Sequence, residues 1–379
     1  MKRKARVLYT MHCYYNRAGT EEHTRSLAKG LSEDFETYIV APEHERLVLF
    51  KDGREIIAHP IPSLPWPATP YRSAEFEEAF DRIVKALDPD LIHVQHFFNW
   101  PLSVLDQIAS FKRPMCISFH DYYAITPHFT MEGTANPLVV TDSRYSKKLF
   151  GKDLSNYLQE RQEQLRRSLK RFALKIVPSR YLASVLDQVY QGDYTVIPHG
   201  IEPFTCTKHD YVDGAPVFGY VGTLLPQKGF AHLGPVFKRL HEEYPNTSLK
   251  VFGGGLLAQL ALPEAMIMHG AYEPKDLPSI MSQIDIGIIT STFAETFSLV
   301  LSEFWQAGIP VAASRIGALA ERIKHGENGL LFAPGDEEDM YQTLKSFLIS
   351  QDWRMWKVPT PRPLEQMLDD YRDLYRQLL

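Results

Sequence analysis

With 379 residues and 44% hydrophobic content, the chain exceeds one ordinary domain and carries enough apolar side chain to bury two cores. Its formal charge of −5 excludes a general pull toward nucleic acid or anionic lipid, so an anionic ligand must be held by a local site. Cys13, Cys116 and Cys206 stand in neither paired nor metal-ligand spacing, and no run approaches the roughly 18 apolar residues of a membrane span; a reducing, cytoplasmic setting is expected.

Short apolar runs alternate with amphipathic stretches along the first half. Strands are expected at Arg6 to Tyr9, Thr37 to Ala41, Leu91 to Val94, Met115 to Phe119, Lys175 to Val177 and Thr195 to Ile197. Helices are expected at Thr20 to Leu31, Ser73 to Leu87 and Asp153 to Phe172. This rhythm predicts a parallel sheet covered on both faces. Asp88, Pro89 and Asp90 precede a strand and read as a turn. The polar stretch from Glu202 to Gly214 breaks the pattern and reads as a connection between domains.

A second rhythm follows, with strands at Val217 to Val221, Leu249 to Phe252, Met266 to His269, Ile284 to Ile289 and Val311 to Ala313. Helices are expected near Phe230 to Glu243, Leu277 to Ser282 and Phe297 to Ala307. The amphipathic segment Pro363 to Leu379, after Pro359, Pro361 and Pro363, is expected to cross back onto the first domain. The expected architecture is therefore α/β, with two doubly wound Rossmann-like domains, 1–198 with 363–379 and 199–362, facing each other across a cleft.

The most informative stretch runs from Ala294 to Glu303 and on through Ala307, Gly308 and Pro310. Glu295 lies in a strand-to-helix turn, and Glu303 is expected about two turns down the helix that follows. Amide groups at Phe297, Ser298, Leu299 and Val300 would stand at the positive end of the helix dipole, a seat for a diphosphate. A carboxylate beside a phosphate is repelled, so Glu295 suits sugar hydroxyls and Glu303 the hydroxyl pair of a ribose. The plain alternative makes Glu295 a cap and Glu303 a solvated helix residue. In the loop Gly222 to Gly229, Lys228 could reach a diphosphate as a point charge.

This constellation resembles the E-x7-E motif of family-four glycosyltransferases with the GT-B fold, and the similarity continues through Gly317, Glu321, Gly326, Asn328, Gly329 and Asp336. The loop ending at Lys228 and Gly229 looks like that family's phosphate-binding loop, with Thr223 where Arg is usual. Ala18, Gly19, Thr20 and Glu21 resemble its Gly-Gly-x-Glu turn, with Ala18 in place of the first glycine. Asp90 to His96 and Ser118 to Tyr123 resemble strands leading to the acceptor cleft. His120 sits where the resemblance implies a donor-sugar or catalytic contact, and His199 stands where the family's linker usually has Asn.

The resemblance implies retaining sugar transfer from a nucleotide diphosphate sugar, with His120, Glu295 and Lys228 in the chemistry. Gly19, Thr223, Lys228, Tyr272, Glu295, Phe297, Ser298, Leu299 and Glu303 would hold the donor. A glycan, a lipid-linked glycan or a small molecule would be the acceptor. A nucleotide-sugar epimerase of similar plan and a catalytically degenerate sugar-nucleotide-binding subunit stay open as alternatives. No clustered His, Cys or Asp pattern points to a metal, so neither metal nor other cofactor is expected.

Two further features have bland and sharp readings. Arg161, Arg166, Arg167, Lys170 and Arg171 share a helix with Leu158, Leu165, Leu169 and Phe172, giving either a packed helix with a solvated face or a basic face for peripheral membrane contact. Phe97, Phe98, Trp100, Tyr122 and Tyr123 read either as packing or as a wall for stacking a sugar.

Overall fold

The alternation of strand-forming runs and amphipathic helices produces two α/β units in the computed structural model, which describes residues 3–16, 18–207 and 216–379. Unit 1 comprises Met1–His199 and Glu365–Leu379, and unit 2 comprises Gly200–Leu364. Of the connection expected between Glu202 and Gly214, residues 208–214 lie outside the described residues. Among the described residues, no helix is long and apolar enough to cross a membrane.

Unit 1 is built on eight strands: β1 (Arg6–Thr10), β2 (Glu36–Glu43), β3 (Arg46–Lys51), β4 (Arg54–Pro60), β5 (Leu91–Val94), β6 (Met115–Ser118), β7 (Leu174–Val177) and β8 (Thr195–Val196). Their order is β4-β3-β2-β1-β5-β6-β7-β8. The expected parallel sheet is corrected at one edge, where β3 and β4 pair antiparallel. The reason is the length of the links. Only His44 and Glu45 join β2 to β3, and only Asp52 and Gly53 join β3 to β4. A parallel return needs a crossover of a dozen or so residues. Asp52 and Gly53, at φ 49 and 79, form the left-handed two-residue turn that a hairpin favours.

Between these strands run α1 (Gly19–Gly30), α2 (Ala74–Leu87), α3 (Ser103–Ser110), α4 (Ser143–Phe150), α5 (Ser155–Leu169) and α6 (Arg180–Tyr190). In α5 the packed reading holds for Arg161. Its guanidinium is buried, bonded to the Ala124 and Tyr123 carbonyls, and it lies 4.7 Å from the Tyr123 ring centre. Phe97, Trp100, Tyr122 and Tyr123 are likewise core residues, with Trp100 Nε1 donating to the Met11 carbonyl at 2.9 Å. Asp90, just before β5, ties that strand to the start of β1 by accepting from the Arg6 amide at 2.8 Å.

Unit 2 carries β9 (Val217–Val221), β10 (Ser248–Phe252), β11 (Met266–Gly270), β12 (Ile286–Ile289), β13 (Val311–Ser314) and β14 (Gly329–Phe332) in the order β11-β10-β9-β12-β13-β14. Every pairing is parallel. The helices are α7 (Leu233–Glu243), α8 (Leu277–Met281), α9 (Leu299–Gln306), α10 (Gly317–Arg322) and α11 (Glu337–Ile349). One core packs Phe218, Leu249 and Ile286 with Phe237 of α7 and Leu344 of α11. A second packs Ile289, Val311 and Ala313 with Leu301 and Phe304 of α9. Two cores flanking one parallel sheet make the unit doubly wound.

The final helix, α12 (Leu364–Leu378), belongs to unit 1 over Glu365–Leu379. Its buried face includes Leu368, Tyr371 and Tyr375, and the Tyr375 hydroxyl lies 2.6 Å from His93 Nδ1 on β5. Strand order reverses between β9 and β12 in unit 2 and between β1 and β5 in unit 1. Open parallel sheets place ligands beyond the carboxyl ends of such strands.

Candidate functional site

In unit 2, the segments leaving β9 and β12 are tied together by hydrogen bonds to backbone carbonyls. Thr292 N and Oγ1 both donate to the Gln227 carbonyl, and Thr290 Oγ1 donates to the Lys228 carbonyl at 2.7 Å. Gly229 makes this approach feasible. Its φ is 67°, and a Cβ there would stand 2.0 Å from the Thr290 carbonyl oxygen.

The zipped segments bring Lys228 and Glu295 together, with Nζ to Oε1 at 2.7 Å. Ser291 Oγ donates to the same carboxylate oxygen at 2.5 Å. Glu295 is 8% exposed in its side chain and Lys228 31%, so the cation keeps access to solvent while the carboxylate is buried. Such a pair is a poor stability device but a well-aimed charge. Thr223 is exposed, and its carbonyl accepts from Tyr220 Oη at 3.0 Å.

The turn after Glu295 corrects the expected helix start. Ser298 has φ 68°, a left-handed conformation no helical residue adopts, and α9 begins at Leu299. Glu303 therefore sits just over one turn into the helix, not two. The buried Ser298 Oγ has no hydrogen-bond partner among the described residues. A strained, polar, unsatisfied residue at a helix start suits a ligand contact.

Arg322, at the end of α10, holds this turn from behind. It donates to the Phe297 carbonyl at 2.8 Å, the Ser298 carbonyl at 2.9 Å and Ser302 Oγ at 2.7 Å. Its guanidinium also lies 4.1 Å from the Phe297 ring centre, so the Phe297 side chain is packing and only its backbone could meet a ligand. Burial lowers Arg322 to about 10, which leaves it charged near neutral pH.

The Glu303 carboxyl has no hydrogen-bond or ion-pair partner among the described residues, and burial pushes it up to about 7. Its charge in turn helps raise the Tyr272 hydroxyl, after burial as the larger cause. Tyr272 packs at the margin of the α9 core. Unit 2 thus assembles Lys228, Glu295, the Ser298 to Val300 turn, Glu303 and Tyr272 along the ends of β9 and β12 and the start of α9.

In unit 1, Gly19 opens α1 and Ala18 is its cap residue. Glu21 is buried and accepts from Asn16 Nδ2 at 2.8 Å, with His12 Nε2 at 3.1 Å. Burial pushes the Glu21 carboxyl up, but its bond and electrostatic attraction to His12 outweigh that and hold it at about 2. His120 is 9% exposed, and its Nε2 lies 2.8 Å from Gln95 Oε1. Burial, then the neighbouring His23 and His199, holds His120 well below the ordinary histidine value, so it is neutral near pH 7.

Sequence reading had isolated His120 and set His199 aside. It gave His23 no role, and it missed His12 as the partner of Glu21. The fold places His23, His120 and His199 so that one ligating nitrogen of each lies within 4.8 Å of the others. No local spacing signals this, because the three come from different elements. Arg322 was also missed; an Arg at the end of a short helix carries no signal until the turn it bonds is known.

Two family comparisons divide the chain between them. The family described as Glycosyltransferase Family 4 matches residues 17–203, and that described as Glycosyl transferases group 1 matches residues 206–357. The fold is similar to sucrose-phosphate synthase from Thermosynechococcus elongatus, with a TM-score of 0.73 at 18% identity over 99% of each chain. It is also similar to Anabaena Alr3699/HepE in complex with UDP-glucose, with a TM-score of 0.67 at 18% identity over 98% of this chain and 99% of that one.

Among relatives in sequence, 2-deoxystreptamine glucosyltransferase of Streptomyces kanamyceticus is 26% identical over 36% of this chain and 37% of its own length. Glycogen synthase of Mycobacterium tuberculosis is 27% identical over 41% of this chain and 40% of its own. The chain thus matches less than half the length of these two relatives.

Proposed function

The chain belongs to the group 1 glycosyltransferases of GT-B fold, and from that premise we propose that it moves a sugar from a nucleotide diphosphate donor to an acceptor hydroxyl in glycan synthesis, with retention at the anomeric carbon. The observation that carries this reading is the convergence of Lys228 and Glu295 beside the start of α9, at the point of unit 2 where strand order reverses. A neighbour of the same fold binds UDP-glucose, which supports a donor of that class.

In this reading the free amides of the Ser298 to Val300 turn and the Lys228 ammonium receive the diphosphate. Both present positive charge where negative charge grows as the glycosidic bond to phosphate breaks. The Lys228 to Glu295 pair has a specific use. Glu295 holds the ammonium in place before the donor arrives; when a diphosphate takes over the cation, the carboxylate is left to accept hydroxyls of the sugar. Glu303 would accept the ribose hydroxyls. His120 is carried over from the family resemblance as the contact to the reacting end of the donor, and its neutral ring can accept or donate a hydrogen bond there.

The test uses a panel of nucleotide diphosphate sugars against the full chain, read by thermal shift and then by product analysis with candidate acceptors. One donor is expected to stabilise the protein, and glycosylated acceptor to form with the anomeric configuration of the donor. Lys228→Ala is expected to lower kcat by about 10²- to 10³-fold, the usual effect of removing one leaving-group stabiliser. Glu295→Ala should abolish turnover while donor binding persists. Free nucleotide with an altered sugar and no acceptor product would establish an epimerase instead, and full activity of Glu295→Ala would overturn the site.

A further inference from the structure

We propose that His12, Phe98, Asp121 and Phe129 of unit 1 form a subsite that selects an uncharged pyranose ring, so that the acceptor is a glycoside. This rests on the sugar-transfer reading, since only a transferase needs an acceptor.

The four side chains gather around one buried ring, His96, beyond the carboxyl ends of β1, β5 and β6. His96 Nδ1 accepts from the Phe98 amide at 3.0 Å, so Nε2 carries the proton and donates to Asp121 Oδ2 at 3.2 Å. The Tyr123 amide donates to Asp121 Oδ1 at 2.8 Å and fixes the carboxylate from a second side. The His12 ring centre lies 4.4 Å from that of His96 and 6.1 Å from that of Phe98. Phe129 stands 5.9 Å from His96 and meets Phe98 edge to face at 4.9 Å. Asn99, left-handed at φ 62°, turns the chain between Phe98 and the buried Trp100.

Three features of the group point to a ligand. Phe97, Trp100, Tyr122 and Tyr123 are buried, whereas Phe98 and Phe129 are half-buried and keep aromatic surface for the C–H face of a pyranose. His12 Nε2 lies 3.1 Å from Glu21, while its Nδ1 is buried without a hydrogen-bond partner among the described residues. A hydroxyl both donates and accepts, so it satisfies Nδ1 in either protonation state. The half-buried Asp121 carboxylate can accept from a second hydroxyl in a charge-assisted bond. Charge then narrows the choice. Glu21 and Asp121 carry two negative charges against at most one positive charge on His12, which repels a ring bearing phosphate or carboxylate.

The experiment is saturation-transfer NMR of the full chain with the methyl glycosides of glucose, galactose, mannose and N-acetylglucosamine. Transfer assays with a nucleotide sugar that stabilises the chain follow. At least one glycoside is expected to bind and to be glycosylated. Phe98→Ala, Phe129→Ala and Asp121→Asn should each raise its KM by about tenfold, while the thermal shift given by the donor stays unchanged. Phe98→Leu keeps apolar volume without the flat face, and should show the same loss if the alanine variant misfolds. No glycoside binding in a chain that hydrolyses the donor, KM unchanged in the folded variants, or glucose 6-phosphate bound as tightly as the glucoside would each overturn the proposal and leave sugar transfer standing. Failure of every nucleotide sugar to bind would overturn the sugar-transfer reading, and the acceptor role with it.

Discussion

Replacing Glu303 by glutamine separates what that carboxylate costs the fold from what it does for a ligand. Its pKa rises from the ordinary 4.5 to about 7 because burial disfavours the charged form. That difference is worth about 3 kcal/mol, and roughly 2 kcal/mol after allowing for the solvent that still reaches the side chain. The sign follows from linkage. The folded state binds the proton more tightly than the unfolded one, so this group leaves stability intact below about pH 4.5 and erodes it as the pH rises toward about 7. Glu303→Gln removes the penalty. It should raise the Tm of the unit 2 transition by about 4 to 8 °C at pH 8, on the scaling for domains of this size, and by much less at pH 5.

The ligand side runs the opposite way. A diphosphate joined to a sugar at one end and a nucleoside at the other has no phosphate titrating near neutrality. Donor affinity of the parent should therefore strengthen as the pH rises through 7 and Glu303 ionises. The glutamine variant should bind more weakly at pH 8, by roughly tenfold for the loss of a charged acceptor, and its affinity should be flat with pH. Thermal scans and donor titrations at pH 5, 6, 7 and 8 read both arms. A variant less stable than the parent at pH 8, or equal to it at every pH, would refute the burial argument.

Gly229→Ala is expected to lower the unit 2 Tm by more than about 5 °C, because a left-handed alanine costs about 1–2 kcal/mol before its Cβ meets the Thr290 carbonyl; an unchanged melt would show that the loop can shift. Arg322→Met leaves the Phe297 and Ser298 carbonyls without their donor and should cost about 2–4 kcal/mol, together with a more than tenfold loss of donor affinity. Normal donor affinity in calorimetric titration of that variant would show that the turn keeps its shape unaided.

The parallel strands of both units were legible because each is a short apolar run between helical stretches, and the Glu295 and Lys228 segments because they directly follow such runs. The β3 and β4 hairpin was missed although Asp52 and Gly53 between apolar runs are a local turn signal; the expectation of a βαβ repeat overrode it. β14 was hidden because its run opens on Gly329, directly after Gly326, Glu327 and Asn328, which read as a turn, and carries only Leu330, Leu331 and Phe332 as apolar residues. What no local pattern could reveal was contact between distant segments. The bond of Lys228 to Glu295 joins residues 67 positions apart, and it required the fold to show that one is the other's partner. Arg322 and the histidine cluster have the same origin, since side-chain convergence depends on strand order and not on spacing along the chain.

The return of α12 to unit 1 has a consequence for biosynthesis. Residues 200–364 are an insertion within a discontinuous N-terminal unit, whose core lacks Leu368, Tyr371 and Tyr375 until the last helix leaves the ribosome. During translation the inserted unit can complete its own sheet first. The earlier-made unit waits with His93 and its neighbours unsealed, so its apolar surface stays open for longer than that of the inserted unit.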